Sequence, residues 1–170
     1  MNSLDFFRSM VISILYIFSF LYFVLIILFI VGFNKCQLTK NSSLNVEKSF
    51  SIIIPFRNEA SNLPELLNSL LNLHYPNSKF EILFVNDDSE DKSKNVIEVW
   101  QTKNSDINTS ILNNKRLTNS PKKDALTFAI SKSSYHWIVT TDADCTIPKN
   151  WLTFFNQIIS EKKPFLIAAY

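Results

Sequence analysis

Apolar and polar positions divide the chain into three regimes. Between Met10 and Phe33 no charged residue occurs and the apolar run is nearly unbroken. A helix needs ~20 such residues to cross the hydrocarbon core of a bilayer, so residues 10–33 read as a transmembrane helix behind a short tail, 1–9. A cleaved secretory signal is the competing reading. Its apolar region would be about 7–15 residues long and would end at small residues. Phe33-Asn34-Lys35-Cys36 offers none. Residues 34–48 are polar and without period, a tether.

From Ser49 a regular alternation begins. Phe50 to Pro55 is a short apolar run closed by proline, hence a strand. Leu63, Leu66, Leu67, Leu70 and Leu71 follow at helical spacing, with Ser61 placed to cap and Pro64 in the first turn. Phe80 to Val85 is a second strand that runs into Asn86-Asp87-Asp88-Ser89-Glu90-Asp91. Val96, Ile97, Val99 and Trp100 suit one face of a second helix, and Ile107 to Leu112 is a weaker strand. Pro121 opens a third helix carrying Ala125, Leu126, Ala129 and Ile130. A strand over 136–141 and a helix with Trp151, Leu152, Phe155, Ile158 and Ile159 come next, and Phe165 to Tyr170 begins another strand. Strands alternating with helices predict an α/β fold of βαβ units with a mostly parallel sheet. Ending on an apolar strand is unexpected for a finished domain, because an unpaired apolar edge invites association. The domain over 49–170 therefore reads as incomplete, a truncated piece of a longer protein.

Composition alters this picture little. The net charge of +2 gives no argument for nucleic acid. Gly32 is the single glycine, so a glycine-rich phosphate loop is excluded. Cys36 and Cys145 stand far apart, which argues against a disulfide framework and for a reducing compartment. Arg8 and the amino terminus flank one end of the apolar run, and Lys35, Lys40 and Lys48 the other. That asymmetry favours a cytoplasmic carboxy-terminal domain.

The chemistry gathers at strand ends. His136 to Thr141 stops on Asp142-Ala143-Asp144, and the crevice beyond the carboxyl ends of parallel strands is where α/β folds bind ligands. Chance alone supplies an Asp-x-Asp roughly 0.4 times in a chain like this, so position at a strand end carries the weight. Two close carboxylates stay ionised at a cost unless a cation lies between them. A hard divalent cation shared with a phosphate suits them. Trp137, Trp151, Phe154 and Phe155 read as core. His74 and His136 are too isolated for a metal site, and Cys145 reads as packing.

Four ordered pieces carry a family resemblance: Ser51-Ile-Ile-Ile-Pro55-Phe56-Arg57-Asn58-Glu59, Glu81 to Asp91, Lys122-Lys123-Asp124-Ala125-Leu126, and Val139-Thr-Thr-Asp142-Ala143-Asp144. Together the set resembles the family-2 glycosyltransferases, whose fold is GT-A. The resemblance implies a site for a nucleotide diphosphate sugar and a divalent metal, Mn or Mg, built from Pro55, Arg57, Glu59, Asp87, Lys122, Asp142 and Asp144. By resemblance Asp87 recognises the nucleobase, as a carboxylate accepting base N–H groups would. Its alternative is a turn acid or helix cap, the role assigned to Asp91. Asp88 stands where the family usually has Gly and is assigned nothing. Arg57 lines the nucleobase pocket or is a surface residue; a guanidinium can stack on a base. Glu59 matches a carboxylate near the nucleotide, or is a first-turn helix acid. Lys122 matches a basic residue facing the nucleotide, or is solvated beside Lys123. Asp144 would hold the metal bridging the diphosphate, and Asp142 would touch ribose or the metal's water shell.

The expected activity is inverting transfer of a sugar to a polysaccharide, glycolipid or lipid-linked acceptor, with residues 10–33 anchoring the protein in the membrane. Inversion needs a general base for the acceptor hydroxyl. The family's base lies beyond Tyr170, and Asp124 and Glu161 do not match it. One rival is a nucleotide-sugar-binding fragment without transferase activity. Another is a signalling receiver, which Asp87-Asp88 after a strand imitates.

Overall fold

The computed structural model describes residues 3–35 and 48–162. They belong to two compact units divided between Ser43 and Leu44. The described residues of the first form one helix, α1 (Ser3–Lys35). Within it Phe7–Val31 has a mean hydropathy of 3.0, long and apolar enough to cross a membrane. Its aromatic and aliphatic side chains, Leu15, Tyr16, Phe20 and Phe29 among them, are exposed around the whole helix. A soluble surface helix would instead show one apolar stripe. The Ser13 hydroxyl donates to the Ser9 carbonyl at 2.9 Å, so this polar group is satisfied within the helix. Residues 3–9, expected as a tail, are helical, because no Gly or Pro stops propagation toward the amino terminus. Of the tether, residues 36–47 lie outside the described residues, as does the strand expected over Phe165 to Tyr170.

The second unit alternates strands and helices: β1 (Phe50–Phe56), α2 (Leu63–Leu71), β2 (Phe80–Asn86), α3 (Ser93–Lys103), β3 (Asn108–Asn113), α4 (Pro121–Ile130), β4 (Trp137–Thr140) and α5 (Trp151–Lys162). A 3-10 turn, Asn77–Lys79, leads into β2. The sheet order is β3-β2-β1-β4 and every pairing is parallel. The chain steps from β1 to β2 to β3 on one side, then returns across β1 to lay down β4. The strand order therefore reverses at β1, where a crevice opens at the carboxyl edge.

The period-2 side-chain alternation of strands explains how the sheet buries both faces. Phe50, Ile52, Ile54, Phe80, Ile82 and Phe84 face the larger core, against leucines of α2, Ile97 and Trp100 of α3, and Leu152, Phe155 and Ile159 of α5. Ile53, Leu83 and Val85 face the other way, against Ala125 and Ala129 of α4. Trp137, Trp151 and Phe154 pack against the larger core, in keeping with the core reading.

Three local expectations need correction. The cap of α2 is Asn62, not Ser61, and it makes no side-chain cap bond; its amide donates to Glu59 Oε2 at 2.7 Å instead. Val99 and Ile130 face solvent, 47% and 51% exposed. At about 100° per residue, Val99 lies far round α3 from Ile97, and Ile130 one step off the Ala125/Ala129 face. Asp91 stands one residue ahead of the α3 cap position, Lys92, yet its Oδ1 accepts from Ser93 N, the first amide of the helix, at 2.9 Å, while Oδ2 ties in Ala60 N from the loop after β1.

At the amino-terminal edge of the sheet Glu81 is buried, accepting from Ser51 Oγ and from the Ser134 amide and hydroxyl. Three donors satisfy this carboxylate and fasten the loop before β4 to β1 and β2. The opposite edge is left for ligands.

Candidate functional site

Parallel strands bring their carboxyl ends to one edge, so the residues following β1, β2 and β4 are neighbours. Asp87 N donates to the Phe56 carbonyl at 2.9 Å, and Thr141 N to the Ile53 carbonyl at 3.2 Å. Between them lies a cleft of about 250 Å³. Pro55, Arg57, Glu59, Asp87, Lys122, Asp142 and Asp144 all line it, over a floor that includes Phe56, Ala125 and Ala143. All seven residues singled out from the sequence thus meet in one place.

The wall after β1 is stitched to the loop after β2. Asn58 adopts a left-handed φ of 56°. Its amide donates to Ser89 Oγ at 3.1 Å, and its side-chain oxygen accepts from Glu90 N at 2.8 Å. Glu59 N reaches Ser93 Oγ, and Ala60 N reaches Asp91 Oδ2. Glu59 precedes α2 by several residues, so it is not a first-turn helix acid. Asp88 also has a positive φ, 63°. That is backbone space glycine enters without steric cost and Asp tolerates, which accounts physically for the glycine expected there.

Asp87 is only 9% exposed and its carboxylate is gripped from one side. Arg116 Nε donates to Oδ1 and Nη2 to Oδ2, both at 2.9 Å, and Nη2 also reaches the Asp87 carbonyl at 3.0 Å. Asn114 Nδ2 adds a bond to Oδ1 at 2.6 Å. The Arg116 hydrogen bonds hold the Asp87 carboxyl below the usual carboxylate range despite its desolvation, and raise Arg116 in turn. A bidentate guanidinium fixes the plane of the carboxylate. A second cleft of about 320 Å³ lies on the far side, bounded by Asn86, Asp87, Asp88, Asn113, Asn114 and Arg116. Arg116 and Asn114 were missed in the sequence. The signal was the parallel register: Asn113 pairs with Asn86, so whatever follows β3 must lie beside Asp87.

Lys122, in the first turn of α4, places Nζ 2.7 and 3.0 Å from the two carboxylate oxygens of Asp142. Both side chains are more than half exposed, so this pair is worth at most ~1 kcal/mol and exchanges easily with other partners. Asp144 is exposed at the rim, with the Cys145 thiol 3.7 Å from Oδ1. Cys145 is exposed, not packed; the turn closed by Cys145 N on the Asp142 carbonyl buries Ala143 instead. Among the described residues no third acid, His or Cys completes a protein-only metal cage. Two exposed carboxylates fit a hard cation that takes the rest of its shell from water and phosphate oxygens, the habit of Mg²⁺.

A family model described as Glycosyl transferase family 2 matches residues 51–163. The chain belongs to this family. The poly-beta-1,6-N-acetyl-D-glucosamine synthase of Staphylococcus epidermidis is 32% identical over 115 residues, 68% of this chain and 26% of that protein. The S. aureus TarS 1-349 structure with UDP-GlcNAc is similar at 26% identity and a TM-score of 0.60, covering 68% of this chain and 32% of that one. A Pyrobaculum calidifontis mannosyltransferase solved with GDP-Man and Mn²⁺ shares the fold at 22% identity and a TM-score of 0.60, over 72% of this chain and 37% of that one. The chain spans about a fifth to a third of the length of the curated relatives it matches. The parallel sheet with helices on both faces is the GT-A architecture of the glycosyl transferase family 2 domain.

In this family-2 domain the loops around the cleft depend on ionised acids. The carboxyls of Asp87, Asp91 and Asp124 are all held below the ordinary value of 3.8, by hydrogen bonds from Arg116, from the Ser93 hydroxyl and from the Thr118 amide respectively. Lowered folded-state values stabilise the fold fully above the ordinary value, and that stabilisation is lost as pH falls through the depressed values. The urea midpoint of the full chain in detergent micelles is therefore expected to be flat above about pH 5 and to fall steadily below about pH 4. A midpoint unchanged down to about pH 2.5 would contradict this account.

Proposed function

We propose that this chain is the donor-binding part of a membrane-anchored, inverting family-2 glycosyltransferase. It would use a nucleotide diphosphate sugar and act on a polysaccharide, glycolipid or lipid-linked acceptor. The observation that carries the reading is the convergence of seven sequence-identified residues on one cleft at the reversal of strand order. Asp87 accepts an N–H group of the nucleobase at Oδ2, with its plane set by Arg116. Pro55 and Arg57 form the wall along which the base lies, Arg57 offering a planar face. Glu59 holds the β1 loop through Asn62 and faces the nucleotide.

Asp142 and Asp144 hold the divalent cation, which when bound neutralises charge growing on the departing diphosphate. Lys122 leaves Asp142 for a diphosphate oxygen as the donor arrives; the exposed pair gives up little in doing so. We assign no general base among these residues. α1, apolar on all sides, is the membrane anchor, and the lysines that follow it favour a cytoplasmic domain.

The test is calorimetric titration of UDP, GDP, UDP-GlcNAc and GDP-Man into the full chain in detergent micelles, with Mn²⁺ and with chelator. Metal-dependent binding of one base class is the expected result. A folded chain that binds none of the four with Mn²⁺ present is the result against the donor site.

A further inference from the structure

Asp124 has no part in the site as described, yet it is buried, 7% exposed, at the start of α4. Its Oδ2 accepts from Leu117 N at 2.9 Å and Thr118 N at 2.7 Å, and its Oδ1 from Thr118 Oγ1 at 2.9 Å. Thr118 Oγ1 in turn accepts from Ser120 N, and Asp124 N donates to the Ser120 carbonyl. The other end of the same loop is tied as well: Asn114 N donates to the Asn86 carbonyl, and Asn114 Nδ2 to the Pro121 carbonyl. Residues 114–120 are thus fastened at two points, and Arg116 stands between them.

The consequence is steric and entropic. Arg116 grips Asp87 through three hydrogen bonds although its side chain is 37% exposed. A long side chain on a free loop would lose much rotamer freedom in holding that geometry. With the loop fastened, the fork is presented before any ligand arrives, and preorganisation of this kind raises affinity without a new contact. The same carboxylate sits two residues from Lys122, so one buried group sets the loop that aims Arg116 and the helix end that carries Lys122.

We propose that Asp124 is a positioning residue for nucleobase recognition: by fastening the 114–120 loop it orients Arg116 on Asp87 and so sets how well the cleft distinguishes one base from another. The inference rests on the donor-site reading above. Asp124 touches neither base nor diphosphate in this scheme, so its removal acts on discrimination among bases more than on the shared metal-diphosphate contacts.

The experiment measures Kd values for UDP, GDP, CDP and ADP with Mn²⁺, on the full chain in detergent micelles. Wild type, Asp124→Asn and Thr118→Val are compared, with the thermal midpoint recorded for each. Wild type is expected to favour one base by about tenfold or more, and Asp124→Asn to compress that preference to about threefold, with the weakest ligands little changed. Thr118→Val, altered on the exposed loop, is expected to lower the preference part of the way, and it decides the matter if Asp124→Asn does not fold. A folded Asp124→Asn that loses thermal midpoint but keeps the wild-type preference would make Asp124 merely structural and overturn the proposal. If wild type binds none of the four, the donor-site reading fails and this inference with it.

Discussion

Asp144→Ala is expected to weaken Mn²⁺-dependent binding of the preferred nucleoside diphosphate by roughly 100-fold, toward the level measured with chelator. A charged hydrogen bond is worth about 1.5–3 kcal/mol, or about 10- to 100-fold in affinity. A carboxylate facing a divalent cation belongs at the upper end of that range. Asp144 is at the open rim, and no Lys or Arg lies within ion-pairing distance of it among the described residues. Its loss should leave the fold intact, so unchanged far-UV circular dichroism and thermal midpoint are part of the expected result.

Asp142→Ala should cost less, roughly tenfold, because it also releases Lys122 from its 2.7 Å contact and lets the ammonium turn fully to the diphosphate. The order of the two effects is the discriminating feature. Equal binding by wild type and Asp144→Ala, both insensitive to chelator, would remove the metal from the account. A larger loss in Asp142→Ala than in Asp144→Ala would exchange the roles given to the two acids.

What was legible from sequence depended on period and on punctuation. The strands over Phe50 to Pro55 and Phe80 to Val85 announced themselves because both faces are buried, giving continuous apolar runs. Pro64 and Pro121 marked helix starts correctly, since proline fits the first turn and fails elsewhere. Helix faces were less legible. Val99 and Ile130 are apolar and adjacent in sequence to buried positions, yet periodicity blurred by one step places them in water.

The site divides the same way. Asp142 and Asp144 were visible because an apolar strand stops on them. Arg116 and the role of Asp124, itself part of a quoted motif piece, were invisible: Arg116 depends on the register of β3 with β2, and Asp124 acts on a loop folding back over the start of α4. Neither relation leaves a local pattern. Asp88 is the opposite case. An expected glycine was missing, and the backbone explains why glycine would serve there.

Asp87→Ala should be the second large effect, and it separates the nucleobase from the diphosphate. The nearly buried carboxylate has one side occupied by Arg116 and Asn114, while it also lines the cleft shared with Arg57 and Lys122. Each carboxylate oxygen has two lone pairs; Arg116 Nε and Asn114 Nδ2 take both on Oδ1 and Arg116 Nη2 takes one on Oδ2, which leaves one site on Oδ2 for a base N–H. Removing the carboxylate deletes that acceptor and leaves the guanidinium without its partner, two losses on the base side and none on the metal side. The preferred nucleoside diphosphate should therefore bind roughly 30- to 100-fold more weakly, while the least favoured one changes by about threefold or less.

Asp87→Asn keeps the shape but not the charge and should fall between. A double-mutant cycle with Arg116→Gln is expected to be strongly non-additive, because once Asp87 is gone the guanidinium has nothing left to orient. Additive losses would mean that Arg116 acts by a route other than Asp87. A folded Asp87→Ala protein that still prefers the same base as wild type would dismiss Asp87 as the base acceptor. The bidentate pair would then be a clasp between the ends of β2 and β3, and base recognition would have to lie with Arg57 and the wall after β1.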